Sequence, residues 1–240
     1  GSDAGTRQLF LRPLDSLESK PIAGTEGAAG PFFSPDGQWI GFFAGGRLKK
    51  VSVNGGAAVT LANAPTVNPG GASWSSQGFV AFQPIAGAAQ SLQQVSQEGG
   101  VPEPLSQPTS GEFIHRWPEF LSGGKAVLFA GSGTLADWNR AQIAVQPVEG
   151  GERKNLAGGG TQPRYASTGH LLYAQSGSLM AAPFDAQRLA LTGAALPALE
   201  GVMQSDATGA AQYSISATGT LVYLAGGVSA NTRLREKFFA

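Results

Sequence analysis

Phe33-Ser34-Pro35-Asp36-Gly37-Gln38-Trp39-Ile40-Gly41-Phe42-Phe43 sets out an aromatic, a polar turn closing on glycine, and a short apolar run. The chain repeats that order at Trp74-Ser75-Ser76-Gln77-Gly78, Phe120-Leu121-Ser122-Gly123-Gly124, Tyr165-Ala166-Ser167-Thr168-Gly169 and Ile215-Ser216-Ala217-Thr218-Gly219, with spacings of 41 to 50 residues. The runs that follow are Phe79-Val80-Ala81-Phe82, Ala126-Val127-Leu128-Phe129, His170-Leu171-Leu172-Tyr173 and Leu221-Val222-Tyr223-Leu224. Short runs rich in β-branched and aromatic residues, bounded by glycine and polar clusters, predict strands buried on both faces. Each cassette therefore reads as a hairpin, its glycine supplying the positive φ of a tight turn.

A second hairpin is expected after each first one, following a Gly-rich or Ser-rich link. Leu48 to Val53, Leu92 to Val95, Ile143 to Val145 and Leu179 to Phe184 lead into Asn54-Gly55-Gly56, Glu98-Gly99-Gly100, Glu149-Gly150-Gly151 and Asp185-Ala186-Gln187-Arg188, with weaker strands such as Ala58 to Leu61 and Arg153 to Leu156 beyond. Two hairpins in succession make one four-stranded antiparallel blade, and a period of this length without helices predicts an all-β propeller. The N-terminal strands, Gln8 to Arg12 and Ser19 to Ile22, are of the second kind, and the last cassette, Gln212 to Leu224, is of the first. The expectation is about five blades, closed by the N-terminal strands completing the C-terminal blade and so hiding two open edges. A piece of a six-bladed ring is the competing account. The whole chain, 1–240, reads as one domain, with blade strands over about 7–227 and a polar, helix-prone tail over 228–240.

Thirty-five glycines and 15 prolines would signal disorder if scattered, but here they punctuate strands at regular intervals. Sixteen basic and 16 acidic residues cancel without running in blocks, which argues against nucleic acid as a partner. Cysteine is absent, which excludes disulfides and thiolate metal sites. No apolar run reaches the roughly 18 residues of a membrane span. Gly1-Ser2 reads as a remnant of expression, so a preceding signal or anchor is expected to have been cut away.

The runs Gly30 to Phe42 and Leu48 to Gly56 resemble TolB-type, WD40-like propeller repeats. His115-Arg116-Trp117-Pro118-Glu119-Phe120-Leu121, Thr168-Gly169-His170-Leu171-Leu172-Tyr173 and Ala182-Pro183-Phe184-Asp185 resemble, more narrowly, the propeller that follows the kinase domain of many bacterial serine/threonine protein kinases. That resemblance covers about residues 7 to 227. It implies an extracytoplasmic sensor or interaction domain of a membrane-anchored bacterial protein. The kinase's own glycine-rich loop, catalytic lysine and His-Arg-Asp loop are missing, so this chain carries no kinase activity. TolB-type rings usually have six blades, against about five here. The stretch Gly226 to Phe238 is similar to a motif of the tRNA threonylcarbamoyladenosine transferase family, but that family's nucleotide-binding domain and metal-binding histidines are missing and no activity is carried over.

Residues able to do chemistry are few. His115 and His170 occupy unlike positions in different repeats, too sparse for a zinc site of three or four converging ligands, so neither a metal nor a cofactor is expected. The serines show no nucleophile elbow, and no serine pairs with a histidine by spacing. Asp15, Asp36, Asp137, Asp185 and Asp206 share no repeat position, and Asp36 reads as a turn carboxylate accepting local backbone bonds. Ala157-Gly158-Gly159-Gly160 lacks the Lys-Ser/Thr of a phosphate loop.

The remaining candidate is His115-Arg116-Trp117, read as lying just before the innermost strand of its blade and hence at the channel mouth. Matching offsets bring Gln162, Arg164, Tyr165, Trp74 and Gln212 toward the same place. Such a mouth would hold an anionic or carbohydrate-like ligand by charge-assisted hydrogen bonds and stacking. Phe33, Trp74, Phe120 and Tyr165 share one repeat position and read as packing between blades, while Arg164, one residue earlier, turns to the other face. The expected function is a non-enzymatic, monomeric propeller binding a protein, peptide or cell-envelope ligand. The alternative is a lyase or hydrolase of sugars or lactones with a metal at the channel.

Overall fold

A computed structural model describes residues 2–3, 6–65, 70–84, 90–135 and 137–229. The tail beyond 229 lies outside the described residues. The architecture is an all-β propeller of four-stranded antiparallel sheets, and its helical content among the described residues is a single 3-10 turn at Trp138–Arg140.

Blade 1 runs from its innermost strand outward as Ala29–Phe33, Trp39–Ala44, Arg47–Ser52 and Val59–Asn63. Blade 2 is Ala72–Trp74, Phe79–Phe82, Gln93–Ser96 and Glu103–Pro104, and blade 3 is Ile114–Phe120, Ala126–Ser132, Gln142–Pro147 and Lys154–Gly158. Blade 4 has Thr161–Ala166, His170–Gln175 and Ser178–Asp185, with Ala190–Leu191 and Leu196–Leu199 sharing its outer edge. Blade 5 contributes Tyr213–Ile215 and Leu221–Tyr223.

The cassettes make their turns as their residue types require. Ser34 Oγ accepts the Trp39 N–H at 2.9 Å, and the Asp36 carboxylate accepts the Ser34 hydroxyl at 2.5 Å and the Gln38 N–H at 3.0 Å. Those bonds, led by the one from Ser34, hold the Asp36 pKa below its usual value. Ser75 and Ser216 accept the Phe79 and Thr220 N–H groups in the same way, at 3.1 and 3.0 Å. Gly37, Gly78, Gly123, Gly169 and Gly219 all have φ between 69° and 88°, the left-handed region the turn demands.

Five apolar clusters sit between neighbouring sheets. They lie between the N-terminal hairpin and blade 1 (around Phe42), blades 1 and 2 (Trp74, Phe82), blades 2 and 3 (Phe120, Phe129), blades 3 and 4 (Trp117, Leu171) and blades 4 and 5 (Leu172, Tyr213). The repeated aromatics Phe33, Trp74, Phe120 and Tyr165 each pack in or against one of them, as their register predicts.

The closure differs from expectation. Phe10–Leu11 with Lys20–Pro21, and Tyr213–Ile215 with Leu221–Tyr223, remain separate two-stranded sheets, so the N-terminal strands do not extend the C-terminal blade by a hydrogen-bonded ladder. The chain leaves Tyr223 by folding back, with Leu224 O accepting the Met203 N–H and Val228–Ser229 pairing in parallel with Gln204–Ser205. Among the described residues no further strand pairs with Leu221–Tyr223, and Tyr223 is 43% exposed.

Blade 1 is sensitive at one glycine. A Cβ on Gly41 would lie 2.1 Å from the Phe32 ring across the innermost ladder. Gly41→Ala is expected to cost about 2–3 kcal/mol in urea unfolding, because overpacking a close backbone approach forces strand and ring apart. Gly41→Ala in a Phe32→Ala background should cost clearly less, and an equal cost in both backgrounds would refute the account.

Candidate functional site

The innermost strands share a device that sequence periodicity does not show. Gly30, Gly71, Trp117 and Gln162, each three positions before the repeated aromatic, have φ of 58°, 84°, 52° and 51°. In blades 1, 3 and 4 the ladder register slips across this residue, between Ala29 and Phe32, Arg116 and Glu119, and Thr161 and Arg164. A bulge re-aims the residues on either side of it. Each of these strands therefore has two halves, one entering the cassette turn and one closing the channel at the opposite end.

The cassette halves of all five blades surround a central cavity of about 800 Å³. Its wall carries Phe32, Phe33, Trp74, Phe120 and Tyr165 together with hydroxyls such as Ser73, Ser76, Ser122, Ser214 and Thr218. Leu14 of the N-terminal segment and Val222 of blade 5 share this wall. The charged groups in the lining are Glu119 and Arg164, paired at 3.3 Å between blades 3 and 4. Burial raises the Glu119 pKa, against the opposing pull of Arg164 and of Ser73. Behind them, the Tyr213 hydroxyl donates to the Gln162 carbonyl, and burial pushes its pKa up.

Of the residues expected at one mouth, the cavity takes Arg164, Tyr165 and Trp74. His115, Arg116 and Trp117 do not precede the innermost strand; they lie on it, in the half that closes the far end, and are buried. Gln162 is buried too, its Oε1 accepting the Ala211 N–H at 2.8 Å, and half-buried Gln212 exchanges backbone bonds with Met203 and Leu224. The expectation of a single mouth is thus corrected to two opposite ends, because the bulge breaks the alternation on which the offsets relied. Glu119, which the sequence reading passed over, is the functional-site residue it missed. Its place one residue before a core aromatic, matching Arg164, was the available signal.

His115 is fully buried and fully partnered. Ser106 Oγ accepts the Leu92 N–H at 3.0 Å and contacts His115 Nδ1 at 2.7 Å, while His115 Nε2 lies 3.2 Å from the Glu112 carboxylate. A carboxylate only accepts, so the proton is on Nε2 and the serine donates to Nδ1. Glu112 is clamped by both Arg153 terminal nitrogens at 2.6 and 2.5 Å; although burial acts the other way, these bonds and those from Thr109 hold its pKa far below the usual range. Ser106, His115 and Glu112 include the groups of a hydrolytic triad that spacing did not reveal, yet serine and histidine are sealed from solvent. The relay ties the link after blade 2 to the innermost strand of blade 3. His170, by contrast, meets Thr168 Oγ1 at 3.1 Å in its turn.

The sequence matches no known protein-family profile, and it matches no curated protein. Among solved structures it is similar to TolB from Acinetobacter baumannii (TM-score 0.59, 16% identity, covering 73% of this chain and 45% of that one). It is similar to oligogalacturonate lyase from Vibrio parahaemolyticus (TM-score 0.63, 14% identity, 96% of this chain and 66% of that one). A chain of the nidogen/laminin complex also matches, with TM-score 0.58, 15% identity and coverage of 75% and 74%. The chain spans less than half of the Acinetobacter protein. At these identities the likeness defines the class by fold alone: a TolB-like β-propeller. No helix among the described residues is long and apolar enough to cross a membrane.

Burial holds the His115 pKa below 6.5, outweighing the pull of Glu112. Between that lower value and 6.5 the unfolded chain binds a proton the folded one refuses, so stability falls as pH drops below about 6.5. Glu119, with its raised pKa, contributes with the opposite sign, and subtraction of a His115→Gln variant isolates the histidine. From pH 7 to 5 the wild type should lose stability relative to that variant, at up to about 1.4 kcal/mol per pH unit. Parallel pH profiles would show that His115 is not buried neutral.

Proposed function

We propose that this propeller is a non-enzymatic binding domain that takes a protein or peptide ligand in the cavity ringed by its five cassette turns. The observation that carries the reading is the single ion pair, Glu119 with Arg164, set in a wall of aromatics and hydroxyls. A concave site of mostly apolar and hydroxyl groups with few convergent charges binds by area and uses the charges for orientation. Propeller rings present such a face from turns contributed by every blade, which suits a macromolecular ligand.

The enzymatic alternative, a sugar or lactone lyase or hydrolase, calls for carboxylates or imidazoles gathered around a metal. Among the described residues no three His, Asp or Glu side chains converge. The narrower placement, as the extracytoplasmic sensor domain of a membrane-anchored bacterial serine/threonine kinase, rests on the repeat resemblance and belongs to the same proposal. Its ligand would then be a component of the cell envelope.

Replacing Arg164 and Glu119 together by methionine removes the pair without stranding either charge. Calorimetry against a partner isolated from envelope fractions should show affinity weakened at least tenfold, about 1.4 kcal/mol, with the fold retained. Ser122→Trp, which fills the mouth from an exposed turn, should weaken it as well. Unchanged affinity in both variants would rule out this cavity.

A further inference from the structure

Arg116 is 5% exposed, and among the described residues no acceptor takes a hydrogen bond or ion pair from its guanidinium. Its Nε is buried without a partner. Burial alone acts on its pKa, lowering it to about 10. The guanidinium carbon lies 5.2 Å from the Trp138 ring centre and 5.9 Å from that of Trp117, so it sits beside the indole pair. Those rings meet edge to face with centres 4.8 Å apart.

Two more buried polar atoms, the Trp138 indole N–H and the Gln83 side-chain oxygen, have no partner among the described residues. Gln83 and Arg116 converge on Gly70, where an added Cβ would meet Gln83 Oε1 at 2.5 Å and Arg116 Cγ at 2.9 Å. Buried polar groups are almost always satisfied, and a buried cation without a counter-charge is among the costliest exceptions. The packing preserves this arrangement. Trp117 is held in the left-handed region by its N–H donating to the Gly70 carbonyl at 2.5 Å and by its ring against Trp138. Arg116 is absent from the wall of the cassette-side cavity, so whatever answers its charge does so at the other end.

We infer that Arg116, lying beside Trp117 and Trp138 with its Nε buried and unpartnered among the described residues, is the anchor of a second site, at the channel end opposite the cassettes, that binds a small carboxylate. The planar fork of a guanidinium matches the two oxygens of a carboxylate, and the flat cation is held by its cation–π contacts with the two indoles. The Trp138 N–H, buried and without a partner among the described residues, is a further donor on the indole beside the guanidinium. This inference is independent of the cavity proposed above.

The full chain is titrated with sodium formate or acetate against sodium chloride of equal ionic strength, following tryptophan emission and Tm. Carboxylate should give a saturable emission change and raise Tm by about 3–6 °C at ten times the Kd, with neither in chloride. Arg116→Met should abolish both responses, whereas the cavity variant Arg164→Met should keep them, which separates failure of this site from failure of the other. Should Arg116→Met not fold, Arg116→Lys serves: it keeps the charge, loses the fork, and should weaken binding at least tenfold. A response equal in chloride, or one surviving in the Arg116 variants, overturns the site, and tighter binding of inorganic phosphate overturns the carboxylate assignment.

Discussion

Blade-to-blade packing of apolar side chains is the constraint on which everything else in this propeller depends. Hydrogen-bonded ladders hold each sheet together, but the described four-stranded sheets are not fused to one another by ladders. What joins them is the run of five apolar clusters between successive sheets. Burial of this kind is non-directional, so it tolerates a different residue at each repeat provided the position stays apolar and large. Phe33, Trp74, Phe120 and Tyr165 illustrate the point, being different side chains in one role.

Because that glue is apolar, the charges enclosed by the ring stand out. Glu112 with Arg153, and Glu119 with Arg164, are paired across distances of 2.5 and 3.3 Å. Among the described residues Arg116 has no ion-pair partner, and the Trp117 and Trp138 rings lie beside it. The two ends of the channel thus differ chemically: a neutralised pair in a wide hydroxyl-lined hollow at one, a guanidinium beside two indoles at the other. Both differences follow from the left-handed residue on the innermost strands, which directs Glu119 and Arg164 into the hollow and leaves Arg116 below it.

The cassettes were legible because a turn closing on glycine and a doubly buried strand leave local signatures, and the blades appear where those signatures fall. The candidate site was legible only in part. Arg164 follows from alternation against Tyr165, and the structure places it in the cavity wall. His115, Arg116 and Trp117 read from sequence as lying just before the innermost strand. In fact the strand begins at Ile114 and carries them through a bulge at Trp117. A bulge is one dihedral angle, invisible to a pattern of period two unless glycine marks it, and at Trp117 and Gln162 glycine does not.

Repeat length, turn chemistry and the apolar runs were enough to determine an all-β propeller with about five blades, since each depends on neighbours within a few residues along the chain. The pairing of Glu119 with Arg164, of Ser106 with His115, and the isolation of Arg116 were decided only in three dimensions. So was the separation of the terminal hairpins, where the chain after Tyr223 turns toward Met203 instead of offering its edge to Phe10–Leu11. These outcomes join residues from different blades or different turns of the chain, and no local pattern encodes which distant group a side chain will meet once the sheets pack.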